Sequence, residues 1–525
     1  MKKLIFMLVL LLGLLLAACS GDSGDSEESS DEGSTDTSSE SSEEASSDED
    51  TAVTYASTSD AVGLSPILTN DSVSSRVIEQ MYETLFTRNL ESGDIEPRLA
   101  ESYETPDDKT WVISLKEDIQ FHDGTPFNAE AVKYTFDTFL DPETAAPRAS
   151  LLEPIESVEV QDEYTVVINT TEPYGAMLAA LSHSNASIVS PEANEGQNLN
   201  EEPVGTGPYK FVEWAKGDQI VLEKNEDYWQ GEPEIDQATF KVVPSVSTAI
   251  SMMETGEVDF IDGVTAEHLT RLESNDSIEV VTKEGTPVYY FGFNHEKEPM
   301  NEFDFRKALS HAIDRDAYVE TLDGLGVRSN SIIGPKVFGY DESAEELGFN
   351  YDPEQAQQII EENGYDEIEL NLLVANRDLF LNMSEIVQAQ LSEVGLNVNI
   401  EMIEWGTFLD MTAEGDFDLT FLSWSNTTAD GSELLYPNLH TDNIGSSNRM
   451  QYSNEEVDEL VEASRTTTDQ NERAEYLQQA NEIVVEDVAW APMHHGVVAA
   501  GVHESIEGFE MDPTGRWELY QFSKN

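Results

Sequence analysis

The sequence predicts an α/β protein of more than one domain, and three observations carry that expectation. A chain of 525 residues exceeds what one ordinary hydrophobic core accommodates, so two or three domains are expected. From residue 53 onward, strand-like and helix-like segments alternate. Residues 368–424 read β-α-β-α-β, the pattern of three parallel strands joined by right-handed crossovers. A hydrophobic share of 39%, with 9% aromatic residues, is enough to fill the cores.

The chain begins MKKLIFMLVLLLGLLLAAC. Lys2 and Lys3 precede an apolar stretch shorter than the roughly 20 residues a membrane-spanning helix needs, and this reads as an export signal. It ends Leu16-Ala17-Ala18-Cys19, which resembles the lipobox of bacterial lipoproteins. That resemblance implies that residues 1–19 are a lipoprotein signal whose Cys19 carries the lipid anchor, on the extracytoplasmic face of the cell membrane. Cys19 is the only cysteine, so the folded part has no disulfide, no thiolate metal site and no cysteine nucleophile. Residues 20–52 hold 13 acidic and no basic residues among serines, glycines and other small side chains, and are expected to be a disordered tether. Most of the net charge of -78 therefore belongs to the folded surface. Such a surface argues against nucleic acid and against docking on anionic lipid, and suits a salty or alkaline exterior.

Helix boundaries are legible further on. DPEQAQQIIEENG offers Asp352 as N-cap, Pro353 in the first turn and Gly364 as the stop. In SNEEVDELVEASR, Ser453 and Glu456 have the spacing of a capping box. The apolar repeats Val73, Val77, Ile78, Met81, Leu85 and Phe305, Ala308, Leu309, Ala312, Ile313 predict amphipathic helices packed on a core.

In parallel sheets ligands bind beyond the carboxyl ends of the strands. Three loops lie there in the β-α-β-α-β unit: residues 375–378 with Arg377, residues 404–405 with Trp405, and residues 424–430 with Trp424, Ser425, Thr427 and Asp430. Together they supply a cation, two indoles, hydroxyls, amides and carboxylates, an inventory that suits a small polar zwitterion. Trp424 equally reads as a packing residue at a domain edge, and Arg377 as a solvated loop charge.

Several phrases then resemble one family. They include YETLFTRN (82–89), LKEDIQFHDGTPFNAEAVKYTFD (115–137), PVGTGPYKFVEW (203–214), KNEDYWQGEP (224–233), FRKALSHAIDRD (305–316) and YSNEEVDELVEASR (452–465). In this order they resemble the family 5 extracellular solute-binding proteins, the peptide, glutathione and nickel receptors of bacterial ABC importers. SNRMQYSNEEVD, MHHGVV and the 421–440 loop are most similar to the glutathione-binding branch. The resemblance implies a two-lobed, periplasmic-binding-protein-like α/β fold with ligand in the cleft between lobes. Lobe 1 would comprise residues 53–284, with an inserted subdomain at about 85–195, and a return at 493–525; lobe 2 would comprise 285–492. It also implies a monomer that hands glutathione or a similar short peptide to permease subunits, with no catalysis and no cofactor. General dipeptide or oligopeptide, haem and nickel-chelate receptors remain as alternatives within the family.

Carried over residue by residue, the resemblance gives an altered charge pattern. Thr427 stands where peptide-binding relatives have an amine-binding Asp, and residues 380–382 lack the carboxylate-binding Arg of dipeptide-binding relatives. Asp430 and Glu433 are then the candidates for an amine, and Arg377 for a carboxylate. Arg148, in a segment (144–152) that resembles one supplying a Tyr contact in relatives, is a second carboxylate candidate. Arg449 reads either as a further ligand contact or as a structural ion pair. No G-x-S-x-G, P-loop or H-E-x-x-H motif occurs, which argues against an enzyme. Gly205 and Gly207 read as a turn. Adjacent His494 and His495 in a strand would point to opposite faces and could not chelate one metal ion together.

Overall fold

The computed structural model describes residues 51–525 except 70, 92, 197, 366 and 367. The export-signal reading, Cys19 and all but the end of the acidic tether lie outside the described residues. No helix among the described residues is long and apolar enough to cross a membrane.

The main sheet is built on ten strands: β1 (Ala52–Ser57), β2 (Tyr209–Ala215), β3 (Gln219–Lys224), β4 (Gln237–Val242), β5 (Phe260–Asp262), β6 (Ile278–Phe293), β7 (Glu369–Ala375), β8 (Asn397–Ile403), β9 (Leu419–Trp424) and β10 (Trp490–His503). Their order across the sheet is β8-β7-β9-β6-β10-β5-β1-β4-β3-β2. The β-α-β-α-β expectation holds: β7 pairs in parallel with β8 and with β9. The two long strands β6 and β10 run antiparallel through the whole molecule, from Ile278 opposite His503 to Gly292 opposite Trp490. Their ladder breaks between Glu284 and Val288, where Pro287 has no N–H to give.

The apolar side chains divide at that break. Below it, Val53, Phe240 and Phe260 pack with Trp517 and Phe522 of the C-terminal segment, with Trp517 centred 5.1 Å from Tyr55 and 4.9 Å from Phe260. Above it, Val288, Phe291, Phe421 and Met493 belong to a separate core. The fold is thus two-lobed, with both lobes threaded by the same strand pair. A four-stranded antiparallel sheet formed by Ala100–Asp107, Thr110–Leu115, Ile155–Asp162 and Thr165–Thr170 lies outside the main sheet.

Helix α1 (Ser72–Met81) is capped by Asp71, whose carboxylate accepts from the Ser74 amide. It buries Val77, Ile78 and Met81. Its C-terminal end rests on the GTG turn, where a side chain at Gly205 would meet the Met81 carbonyl oxygen at 2.1 Å and one at Gly207 the Met81 carbonyl carbon at 2.6 Å. Only glycine permits that approach, so the turn fixes where α1 ends. Helix α2 (Pro353–Asn363) has the expected Asp352 cap, and Gly364 ends it with φ 73°. The helix at Glu455–Thr466 differs from expectation by one residue. Asn454 is the cap, accepting from the Glu456 and Val457 amides, because the Ser453 hydroxyl is engaged by Thr441 at 2.9 Å.

His494 stacks on Tyr289 at 4.4 Å, and His495 lies 3.0 Å from the Ser331 carbonyl, so the two rings have separate protein surroundings. Burial holds His122 down to about 4 and His183, His295 and His494 down to about 3, below the ordinary 6.5. The unfolded chain therefore takes up these protons first. The stability they contribute is complete above about pH 6.5 and is lost as pH falls toward 3–4. Glu79, which burial pushes up to about 7, acts in the opposite sense as a single group. The urea midpoint is expected to fall between pH 7 and pH 5, above the range in which most surface carboxylates titrate.

Candidate functional site

Between the lobes lies a cavity of about 470 Å³. One wall is the polar face of α1, where Ser72, Ser75, Arg76 and Glu79 recur at helical spacing opposite the buried Val77 and Ile78. Arg148, residues 182–185 and the C-terminal Asp512, Thr514 and Arg516 continue that side. The facing wall is Thr286 and Pro287 at the break in β6, residues 424–428 beyond β9, and Glu433.

Of the sequence-derived candidates, Arg148, Trp424, Ser425, Thr427 and Glu433 line this cavity. The Trp424 indole donates to the Glu433 carbonyl at 3.1 Å, which fixes its plane. Thr427 meets His183 across the cleft, Oγ1 to Nε2 at 3.2 Å. His183 Nδ1 accepts from the Asn185 amide, which leaves the proton on Nε2 and makes Thr427 the acceptor.

The other four do not line the cavity. Asp430 is 4% exposed and turns inward: Arg473 Nη2 lies 2.6 Å from its carboxylate, and the Ser432 amide and hydroxyl also donate to it. Burial alone would raise this carboxyl, but Arg473 outweighs it and the group stays below its ordinary range. Its charge is neutralised within lobe 2 rather than offered to a ligand. Arg377 stacks over the Trp405 ring at 3.8 Å, and Trp405 stacks in turn on Phe408. Arg449 donates to the Leu409 carbonyl and to Thr412 Oγ1 at 2.8 Å. Strand order explains the split. Of the three parallel strands only β9 adjoins the through-strand β6, while β7 lies one strand further out and β8 is at the edge, which sets Arg377 and Trp405 back from the cavity wall.

The cavity gains residues that sequence reading passed over: Asp71, Arg76, Glu79, Arg88, His183 and Arg516. Arg76 is bound to Asp262 at 2.8 Å, and Arg516 to Glu518 at 2.9 Å and Asp512 at 3.4 Å. Arg88 donates to the Gly93 carbonyl at 2.6 Å and, across the cleft, to the Thr428 carbonyl. The Arg148 side chain makes no hydrogen bond or ion pair among the described residues, and its Nε is buried without a partner. Asp71 Oδ2 and Glu79 Oε2 are buried and unpaired as well. The cavity therefore holds charged side chains of both signs with hydrogen-bonding atoms left unpaired.

The pair that shapes its floor can be tested separately. Asp430→Asn leaves Arg473 buried without a counter-ion, and a loss of about 3–5 kcal/mol in urea unfolding is expected. Adding Arg473→Met should restore part of it.

The family described as "Bacterial extracellular solute-binding proteins, family 5 Middle" matches residues 94–446. Heme-binding protein A of Haemophilus influenzae is 28% identical, covering 97% of each chain. The glutathione-binding protein GsiB of Escherichia coli K12 is 29% identical over 88% of this chain and 92% of its own. The ABC transporter-associated periplasmic binding protein DppA from Helicobacter pylori, in complex with the peptide STSA, superposes with a TM-score of 0.76 at 25% identity, covering 90% of this chain and 98% of that one. With its two lobes, its threaded strand pair and a cavity between them lined by charged and hydroxyl side chains, the chain belongs to the family 5 bacterial extracellular solute-binding proteins, which are receptors and not enzymes.

Proposed function

We propose that this protein is the receptor of an ABC importer for short zwitterionic peptides, with glutathione as the favoured ligand. The observation that carries the reading is Arg148, whose Nε is buried without a hydrogen-bond partner in the wall of an inter-lobe cavity of about 470 Å³. A buried donor left without an acceptor is costly, and a ligand carboxylate accepting from it in a charge-assisted hydrogen bond removes that cost. Trp424 offers an apolar face to the ligand backbone, and Ser425 and Thr427 offer hydroxyls. The volume lies within the range of small-ligand sites. A haem macrocycle is the alternative suggested by one relative's name, but among the lining residues only Pro287 and Trp424 are largely apolar. Such walls suit a charged peptide better.

The same reading makes Cys19 the lipid anchor and residues 20–52 the spacer between membrane and receptor. The ligand-closed form would then dock on the permease subunits.

Calorimetric titration of the purified full chain tests the ligand. Reduced and oxidised glutathione are expected to bind more tightly than dipeptides with one carboxylate, haem or a nickel–histidine chelate. Arg148→Ala should weaken glutathione binding at least about tenfold, the loss of one charge-assisted hydrogen bond. Tighter binding of haem than of any peptide would sink the proposal. For the anchor, wild type should sediment with membranes and Cys19→Ala should be released; equal partitioning would remove Cys19 from that role.

A further inference from the structure

The carboxylates around the cavity differ in how far their charge is already spent. Asp512 accepts from Arg516, from the Thr514 amide at 2.7 Å and from the Thr514 hydroxyl at 2.6 Å. Asp430 is sealed under Arg473. Position 427, where peptide-binding relatives are expected to carry an amine-binding Asp, holds a neutral Thr already engaged by His183. Glu433 faces the cavity from lobe 2, but Arg148, Arg465 and Arg473 all act on it electrostatically. A ligand cation arriving there would meet three guanidiniums.

Lobe 1 is different. Glu79 lies on the cavity face of α1, makes no hydrogen bond among the described residues, and has Oε2 buried without a partner. The two arginines nearest to it each hold another carboxylate, Arg76 that of Asp262 and Arg516 those of Asp512 and Glu518. Both favour the Glu79 anion from a distance, but neither forms an ion pair with it. Asp71, two turns earlier on the same face, uses Oδ1 to cap the helix and leaves Oδ2 unpaired. At 1.5 Å per residue the two lie about 12 Å apart along the helix, so one ammonium cannot span both. The positive end of the helix dipole already compensates Asp71. Glu79 lies clear of that end.

We propose that the ligand's ammonium group is received by Glu79 of α1, in lobe 1, and not by a carboxylate of lobe 2. This rests on the zwitterionic-peptide reading and adds a direction to it. With Arg148 also in lobe 1, both charged ends of the ligand are held by that lobe, and lobe 2 closes over them with the uncharged loop 424–428. Burial pushes the Glu79 carboxyl up to about 7, as expected of a charge that lacks a partner until the cation arrives.

The test titrates the purified full chain with reduced glutathione, trialanine and N-acetyl-trialanine. Wild type is expected to prefer trialanine to its acetylated form at least about tenfold. Glu79→Gln, isosteric and uncharged, should abolish that preference with the thermal midpoint kept, while Glu433→Gln should retain it. Loss of the preference in Glu433→Gln with retention in Glu79→Gln would overturn the assignment, as would a wild type indifferent to acetylation, which needs no variant. If neither trialanine nor glutathione binds, the peptide reading itself falls and takes this inference with it.

Discussion

Everything in this molecule hangs on the antiparallel pair β6 and β10, which passes through both lobes and breaks its own ladder at residues 285–287. A sheet interrupted by proline cannot carry hydrogen bonds across the gap, so the apolar cores consolidate separately on either side. The break also lines the cavity: Pro287 and Thr286 are part of its wall, and the Thr286 hydroxyl donates to the Asn426 carbonyl at 2.7 Å. The position that separates the lobes thus also secures the loop that faces the ligand.

That loop is held from below by charges that never reach the ligand. Arg473 is 1% exposed and binds Asp430, the Ser432 hydroxyl and the Ser464 carbonyl. Removing either partner would leave an unpaired ion in a dry interior, so the pair orders the loop more than it adds to stability. The cavity above follows the opposite rule. There Arg148 Nε, Glu79 Oε2 and Asp71 Oδ2 are buried without hydrogen-bond partners, a cost that the proposed zwitterionic ligand would offset.

The surface poses a different electrostatic problem. With 105 acidic against 27 basic residues, self-repulsion opposes the compact state and is relieved by dissolved salt. Many of the few cations are committed inside, in pairs such as Arg76 with Asp262, Arg98 with Glu83 and Arg473 with Asp430.

Much of the fold was legible in the chain because it rests on local rules. Helical spacing placed α1, the Asp352 cap and Gly364 placed α2, and alternating strand and helix patterns placed the parallel unit of β7, β8 and β9. The candidate site was legible only in part. Loop 424–428 could be found because it follows a strand whose end is recognisable, and Arg148 through a family resemblance. Arg377, Trp405 and Asp430 misled, because a strand's distance from the break and the partner of a buried carboxylate are set by residues far away in sequence. Glu79, His183 and Arg516 carry no local mark; they meet only when α1, residues 182–185 and the C-terminal return are folded together. By itself the sequence determined the elements, the family and the altered charge at position 427. Which charges stay unpaired was decided by tertiary structure alone, since pairing depends on distance and burial, and neither exists until the lobes are packed.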